Sequence, residues 1–467
     1  MTTTDDPIVA RSPRSRPAPD PTVAARPTVV HRPAPSGPHP IDADRYVSAA
    51  WLRREFDELF PEQWLLAGLA RDLAEPGDYF VFEIGDESIL VTRDVEGDLR
   101  AFHNVCQHRG AKVIVNRSGW VRDFVCPYHG WTYDHGGRLV VVPDAERFTP
   151  PVDCDSRGLR PVRVDALGDL VFVCLSPSAP PLAEYLGDVG DLIAPYDVAG
   201  MALVGDQTVH LDANWKAVFD NFGELYHVEH IHPQHAEVFD CPTAQIHLFD
   251  RGHTGVVIDG HVVNTRLPID DDPTLYMAMA LRRYGIDRDE YRGRILDVRA
   301  DVQRLRREHG PRLGYDYSAM TDERLSDIEQ YNMFPNTMIT LMPDDALIMR
   351  ARPHPTDPNQ CWWDKFTLHR QPDPAVAHRA GVDFEPHPAD DRWPSDVPVG
   401  SRVAHDSFVQ DDIIEGRKSM TITIDQDVHL IRDVQAGMRS RGFDTAVLCD
   451  DEVRVQHFHD WLTHLLA

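Results

Sequence analysis

The chain has 467 residues, 42% apolar and 26% charged, with 75 acidic against 47 basic side chains and a net charge of −28 at pH 7. That length supports two or three domains with full cores, and the acidic surplus disfavours nucleic acid or an anionic membrane as partner. No apolar run reaches eighteen residues and the N-terminus lacks the apolar core of a secretory signal, so no membrane span and a cytoplasmic location are expected.

Residues 1–42 are rich in Pro, Arg, Ala and Thr and almost free of aromatic side chains. They carry too little apolar surface to offset ordering entropy, which predicts a disordered tail. From Asp44 to about Phe60, Tyr46, Ala50, Leu52, Phe56 and Leu59 recur at helical spacing, and Pro61 closes the run. This is the leading helix of a first domain over 43–180. Residues 79–84 and 88–93 flank Gly85-Asp86-Glu87, and Leu99–His103 follows another turn, so short strands with turn punctuation are expected. Together they predict a small antiparallel β domain.

Inside that domain lie Cys106-Gln107-His108-Arg109-Gly110 and Cys126-Pro127-Tyr128-His129-Gly130-Trp131, two Cys-plus-His pairs separated by seventeen residues. Thiolates and imidazoles hold iron–sulfur clusters or zinc. Two thiolates on one iron and two imidazoles on the other make a Rieske [2Fe-2S] centre, whose neutral ligands raise its potential. Each loop ends in glycine, which lets the backbone turn closely, and Pro127 restricts the second loop. The stretch resembles the cluster-binding motif of Rieske proteins; a structural zinc site is the alternative for the same four side chains. The other cysteines, Cys154, Cys174, Cys241, Cys361 and Cys449, are scattered singly and expected to be free thiols.

Ser176-Pro177-Ser178-Ala179-Pro180-Pro181 marks a seam. Residues 181–467 alternate strand candidates (256–258, 338–342, 361–368) with helical periods over 276–309 and 425–441. They predict an α+β domain with a curved antiparallel sheet and helices on one face. Residues 371–400, dense in Pro and Asp, read as a long surface loop.

The informative stretch here is Asn214-Trp215-Lys216 followed by Glu224-Leu225-Tyr226-His227-Val228-Glu229-His230-Ile231-His232-Pro233. Glu224 and His227 would share a helix face. His232 would point away on an ideal helix, but it precedes proline, so the helix should end near His230 and return His232 towards His227. Two histidines and a carboxylate form the facial triad of non-haem Fe(II) oxygenases, with open positions for O2. His230 is the spare candidate.

Rieske loops followed by Asn-Trp-Lys and Tyr-His-x-x-x-x-His resemble the α subunit of Rieske-type aromatic-ring-hydroxylating oxygenases, from about Asp44 to the C-terminus. The resemblance implies a β Rieske domain joined to a helix-grip-like catalytic domain. It implies Cys106, His108, Cys126 and His129 as cluster ligands, and His227 and His232 as ligands of a mononuclear Fe(II). The family's third ligand falls on Asp427, in a helix striped by Val428, Ile431, Val434 and Met438 and capped by Asp425. Asp427 would lie in its first turn, and Asp411 and Asp412 are its rivals. Glu224 takes the place of an acidic electron bridge to His129 of a neighbouring copy, so the resemblance implies a head-to-tail trimer. A β subunit could join it.

The implied role is a terminal oxygenase fed by NAD(P)H through a reductase, with or without a ferredoxin. It would use O2 to hydroxylate an aromatic or similar small organic substrate. Many aromatic dioxygenases carry Asp where Glu224 stands, and glutamate is similar to the branch acting on quaternary ammonium compounds. A monooxygenase or N-demethylase of a methylated amine is therefore the alternative, with Trp362 or Trp363 as candidate cation-binding faces. A non-catalytic Rieske electron carrier is the remaining one. Phe219, Phe222, Val228 and strand residues near Met333 and Met338 are the candidate pocket residues.

Overall fold

The computed structural model describes residues 28–30, 37–232, 234–235, 239–267, 271–373, 375–376 and 399–467. The first half carries two antiparallel sheets. Seven strands run in the order Leu65–Leu69, Leu170–Cys174, Pro161–Leu167, Leu99–His103, Glu87–Arg93, Asp78–Ile84, Ser118–Trp120. Ile89, Leu90 and Val91 are wholly buried at its centre, as expected for a continuous aliphatic run between two covered faces. Three short strands, Phe124–Val125, Thr132–Tyr133 and Leu139–Val141, form a second sheet beside it. Cys106, Cys126, Phe124, Trp131, Tyr133 and Leu139 share one small core, so both cluster loops are rooted in it.

The leading helix breaks in three. Asp44–Val47 stops at Ser48, whose extended backbone and hydroxyl cap the next helix, Ala49–Arg54, by accepting from Trp51 N at 3.3 Å. A wide turn, Glu55–Leu59, follows. Its Phe56 packs over the hairpin turn at Gly85 (φ 57°), where an added Cβ would lie 2.6 Å from the ring.

The second half is built on a nine-stranded sheet in the order Thr28–Val30, Gln245–Leu248, Thr254–Ile258, Ile328–Met333, Thr337–Met342, Asp345–Pro353, Cys361–His369, Ala202–Leu211, Asp406–Val409. It is antiparallel except at its two edge pairs. One edge is Thr28–Val30, inside the stretch expected to be disordered: its β-branched residues pair parallel with Gln245–His247. The rest of residues 1–36 lie outside the described residues. The helical period over 276–309 divides into Leu275–Arg282 and Val298–Leu313, because Gly285 and Gly293 between them adopt positive φ. Of the expected surface loop, residues 374 and 377–398 lie outside the described residues. No described helix is long and apolar enough to cross a membrane.

A helix that sequence reasoning missed, Val453–Leu465, packs Val455, Phe458 and Leu462 into the main core. Its period of apolar residues at i, i+3 and i+7 was the available signal. The leading helices tie the two halves together through buried polar contacts. Lys216 Nζ and Trp215 Nε1 donate to opposite oxygens of Glu55 at 2.5 and 2.9 Å, and Tyr46 donates to Asp220 at 2.5 Å.

Candidate metal centres

Asn214 caps the helix Trp215–Asn221 by accepting from Lys216 N at 3.0 Å, and its amide donates to Tyr46 O and Pro358 O. The helix ends at Phe222, and Gly223 N donates back to Asp220 O at 2.7 Å. Glu224 therefore does not share a helix face with His227; it sits in the break ahead of the next helix, Val228–Ile231. There its carboxylate accepts from both His227 N (3.1 Å) and His227 Nδ1–H. His232 lies past the helix end, and its ring centroid is 5.2 Å from that of His227. His230 is exposed.

Asp427 arrives from a helix that starts earlier than expected, at Ile422. Asp427 thus stands in the second turn. Asp425, also inside the helix rather than capping it, reaches back to accept from Met420 N (2.8 Å) and Ser419 Oγ (2.5 Å). Asp427 Oδ1 is 3.1 Å from His232 Nε2 and 3.7 Å from His227 Nε2. Ligand atoms of the three side chains all lie within 4.8 Å of one another. Asp411 and Asp412 are elsewhere, the first paired with Arg432 and the second with Arg417.

This donor set fits a divalent transition metal. Glu224 holds the Nδ1–H of His227, and Gln426 Oε1 accepts from His232 Nδ1–H at 2.8 Å. Each second partner turns an Nε2 lone pair inward. Between those nitrogens Asp427 Oδ1 is buried and accepts no hydrogen bond, the state of a carboxylate oxygen awaiting a cation. Burial alone would lower the His227 pKa, but Glu224 and Asp427 outweigh it and the net shift is upward. The loop is further locked to the Asp427 helix. Gln234 Nε2 donates to Gln426 Oε1, and His235 Nε2 lies on Thr423 Oγ1, both at 2.8 Å.

At the other centre, Cys106 N and Cys126 N donate to Ala111 O and Trp131 O, and Gly110 N and Gly130 N donate back to Cys106 O and Cys126 O. The two loops thus fold alike, with Gly110 and Gly130 both at positive φ. Tyr133 OH lies 3.3 Å from Cys106 Sγ. His108 stacks flat on Trp131, and its ring lies 4.7 Å from that of His129. Burial, with His129 and Arg109, lowers the His108 pKa, which favours the neutral ligand form. Cys106 and Cys126 are buried, whereas His129 and Tyr128 are exposed at the tip.

The candidate pocket residues Phe219, Val228, Met333 and Met338 are packed core. Phe222 is half-buried and meets Trp363 edge-on at 5.3 Å. Trp363 is itself buried, and the Trp362 ring is already covered by the Arg352 guanidinium, 5.3 Å from its centroid.

Residues 198–467, more than half of the chain, match the family described as ring hydroxylating alpha subunit (catalytic domain). The chain belongs to this family. Residues 63–159 match the Rieske [2Fe-2S] domain, which sets aside the zinc alternative and makes a [2Fe-2S] cluster and a mononuclear iron the cofactors of this fold. The glycine betaine monooxygenase oxygenase subunit of Chromohalobacter salexigens is 34% identical over 198 residues, 42% of this chain and 44% of that protein. The large oxygenase component of a naphthalene 1,2-dioxygenase system from Pseudomonas aeruginosa is 36% identical over 187 residues, 39% of this chain and 42% of that protein. The chain thus matches less than half the length of these curated relatives. A quaternary ammonium Rieske monooxygenase of carnitine oxidation shares the fold, with a TM-score of 0.64 at 17% identity over 92% of this chain and 95% of that one.

Proposed function

We propose that the chain is the terminal oxygenase of a reductase-fed system, holding its cluster on Cys106, His108, Cys126 and His129 and its iron on His227, His232 and Asp427. The observation that carries this reading is the convergence of two imidazole Nε2 atoms on the hydrogen-bond-free Asp427 Oδ1, in a chain that also has a Rieske domain. When bound, the cluster supplies single electrons and the iron the chemistry of O2. The chain's own part is orientation. Glu224 and Gln426 fix the two imidazole tautomers, and the surrounding core keeps water from His232 and Asp427. A reductase, with or without a ferredoxin, is the proposed electron donor, and the cytoplasm, where the five cysteines outside the cluster loops stay reduced, the proposed location.

Glu224 also serves as the proposed link to His129 of a neighbouring copy in a homotrimer. The exposure of His129 at the domain tip supports this role. Hydroxylation of a small organic substrate is the reaction, aromatic rings being the first class. Methylated ammonium compounds are the second, favoured by glutamate at 224 and by the glycine betaine monooxygenase relative.

The test is product mass after pre-reduced, iron-loaded protein meets labelled O2 with aromatic acids, polycyclic compounds and methylated amines. Label on a ring, or aldehyde release from an amine, supports the oxygenase and names its class. Electron uptake with no labelled product from any of them would sink it in favour of a simple electron carrier.

A further inference from the structure

Two elements support the helix break that carries Glu224. The first turn of the Val453–Leu465 helix passes against it: a Cβ added at Gly223 would lie 3.0 Å from Val455 Cγ2, and Leu225 and Val453 pack on one small core. From the Ile328–Met333 strand, Asn332 Nδ2 donates to Phe222 O at 3.2 Å. Gln330 lies on the same face of that strand, and its Oε1 accepts from both Nη1 and Nη2 of Arg454, each at 3.2 Å.

Arg454 sits where an arginine is costly. It is 1% exposed, its Nε–H has no acceptor, and among the described residues no carboxylate forms an ion pair with it. Its place in the first turn of a helix adds a second cost, because the dipole there favours anions. Burial lowers its pKa to about 10 and Glu224 draws it back up, so the guanidinium stays charged at neutral pH with Glu224 as counter-charge.

Glu224 needs that charge. Asp451 and Glu452, which lead into the same helix, repel it: burial raises the pKa of both, and Glu224 adds to the rise. Arg266, which also acts on Asp451, is taken by Glu229 at 2.8 Å.

We propose that Arg454, seated on Gln330, is a positioning residue for electron transfer: its buried charge offsets the repulsion from Asp451 and Glu452 and keeps the Glu224 carboxylate in the break, facing His227 and His129 of a neighbouring copy. The proposal rests on the reading of Glu224 as the electron bridge. Arg454 is no ligand and acts only through Glu224.

The test is the rate at which an electron crosses from cluster to iron in the cofactor-loaded full chain, with iron supplied in excess and its content measured in each variant. The protein is first oxidised, so that the iron is Fe(III). A flash with a flavin sensitiser places an electron on the cluster. Return of the oxidised-cluster absorbance then reports its passage to the iron, which becomes Fe(II). Arg454→Met keeps the packing stem and loses the charge, whereas Gln330→Glu keeps the arginine and gives it a carboxylate of its own. Each should slow the transfer about tenfold or more, and Arg454→Lys should stay within about threefold of the wild type. A merely structural arginine would be indifferent to Gln330→Glu, which adds an ion pair. Should Arg454→Met fail to fold, Gln330→Glu decides alone.

Wild-type rates in both variants, with Glu224→Ala slow, overturn the role of Arg454 and leave the bridge standing. Slowing in Arg454→Met alone, with Gln330→Glu at the wild-type rate, makes the arginine a packing residue and overturns the proposal too. Glu224→Ala as fast as the wild type removes the bridge itself, and the proposal with it.

Discussion

Gln426 is a single amide on which the geometry of His232 depends. Its Oε1 accepts from His232 Nδ1–H and Gln234 Nε2, both at 2.8 Å, one residue before Asp427. Gln426→Leu removes the acceptor and frees the imidazole to rotate. Iron affinity, measured by competition with a chelator, should fall about 10- to 100-fold, the range typical of lost outer-shell partners. Gln426→Glu keeps an acceptor and should retain most of the affinity; a leucine variant that holds iron like the wild type would refute the role. His227 and His232 were readable as a pair because a proline after His232 predicts a helix end before it, and the helix does end at Ile231. Their orienting partner was not readable: Gln426 is 194 residues away in sequence, and only the tertiary fold brings it there. The same holds for Glu224, whose place in a helix break depends on how Gly223 closes the preceding turn.

At the scale of elements, strands were legible where apolar residues run between turns, as over Leu99–His103, and helix boundaries were not. Ser48 capping and the positive-φ glycines at 285 and 293 cut apolar periods that read as continuous. Two contacts between elements carry predictions. Glu55 and Lys216 are wholly buried and paired across the two halves. Glu55→Ala leaves an unpaired buried ammonium and should cost about 3–5 kcal/mol in denaturant unfolding, whereas replacing both by methionine should recover most of the loss. His253 is the second contact. Its Nδ1 accepts from Phe334 N and its Nε2–H donates to Tyr185 O, each at 2.9 Å, so only the neutral ring satisfies both. Burial first, with Arg251 and His457 adding to it, pushes its pKa down to about 4. Between that value and the ordinary histidine range near 6.5 the unfolded chain binds more protons. The stabilisation is therefore complete above about pH 6.5 and lost as pH falls towards about 4. Melting temperatures from pH 8 to 5 should drop for the wild type and drop less for His253→Gln; parallel curves would remove the residue from the acid response.

For the whole molecule, the proposed head-to-tail ring predicts that one copy is not a complete enzyme. The second cluster loop carries the exposed ring of His129, whereas Glu224 is half-buried against His227. A head-to-tail ring would place one copy's tip on the next copy's Glu224. His129→Ala spoils the proposed cluster and His227→Ala the proposed iron site, so each homogeneous variant should be inactive. Co-expressed, they form mixed rings in which some contacts join an intact cluster to an intact iron site. With random mixing, about a quarter of contacts qualify, so activity should recover to about a quarter of wild type. Glu224→Ala placed on the cluster-deficient copies, with iron supplied in excess so that both metals stay bound, should abolish that recovery. Mixed oligomers demonstrated by mass but without turnover would mean that electrons pass within one chain, and Glu224 would then be only the residue that orients His227.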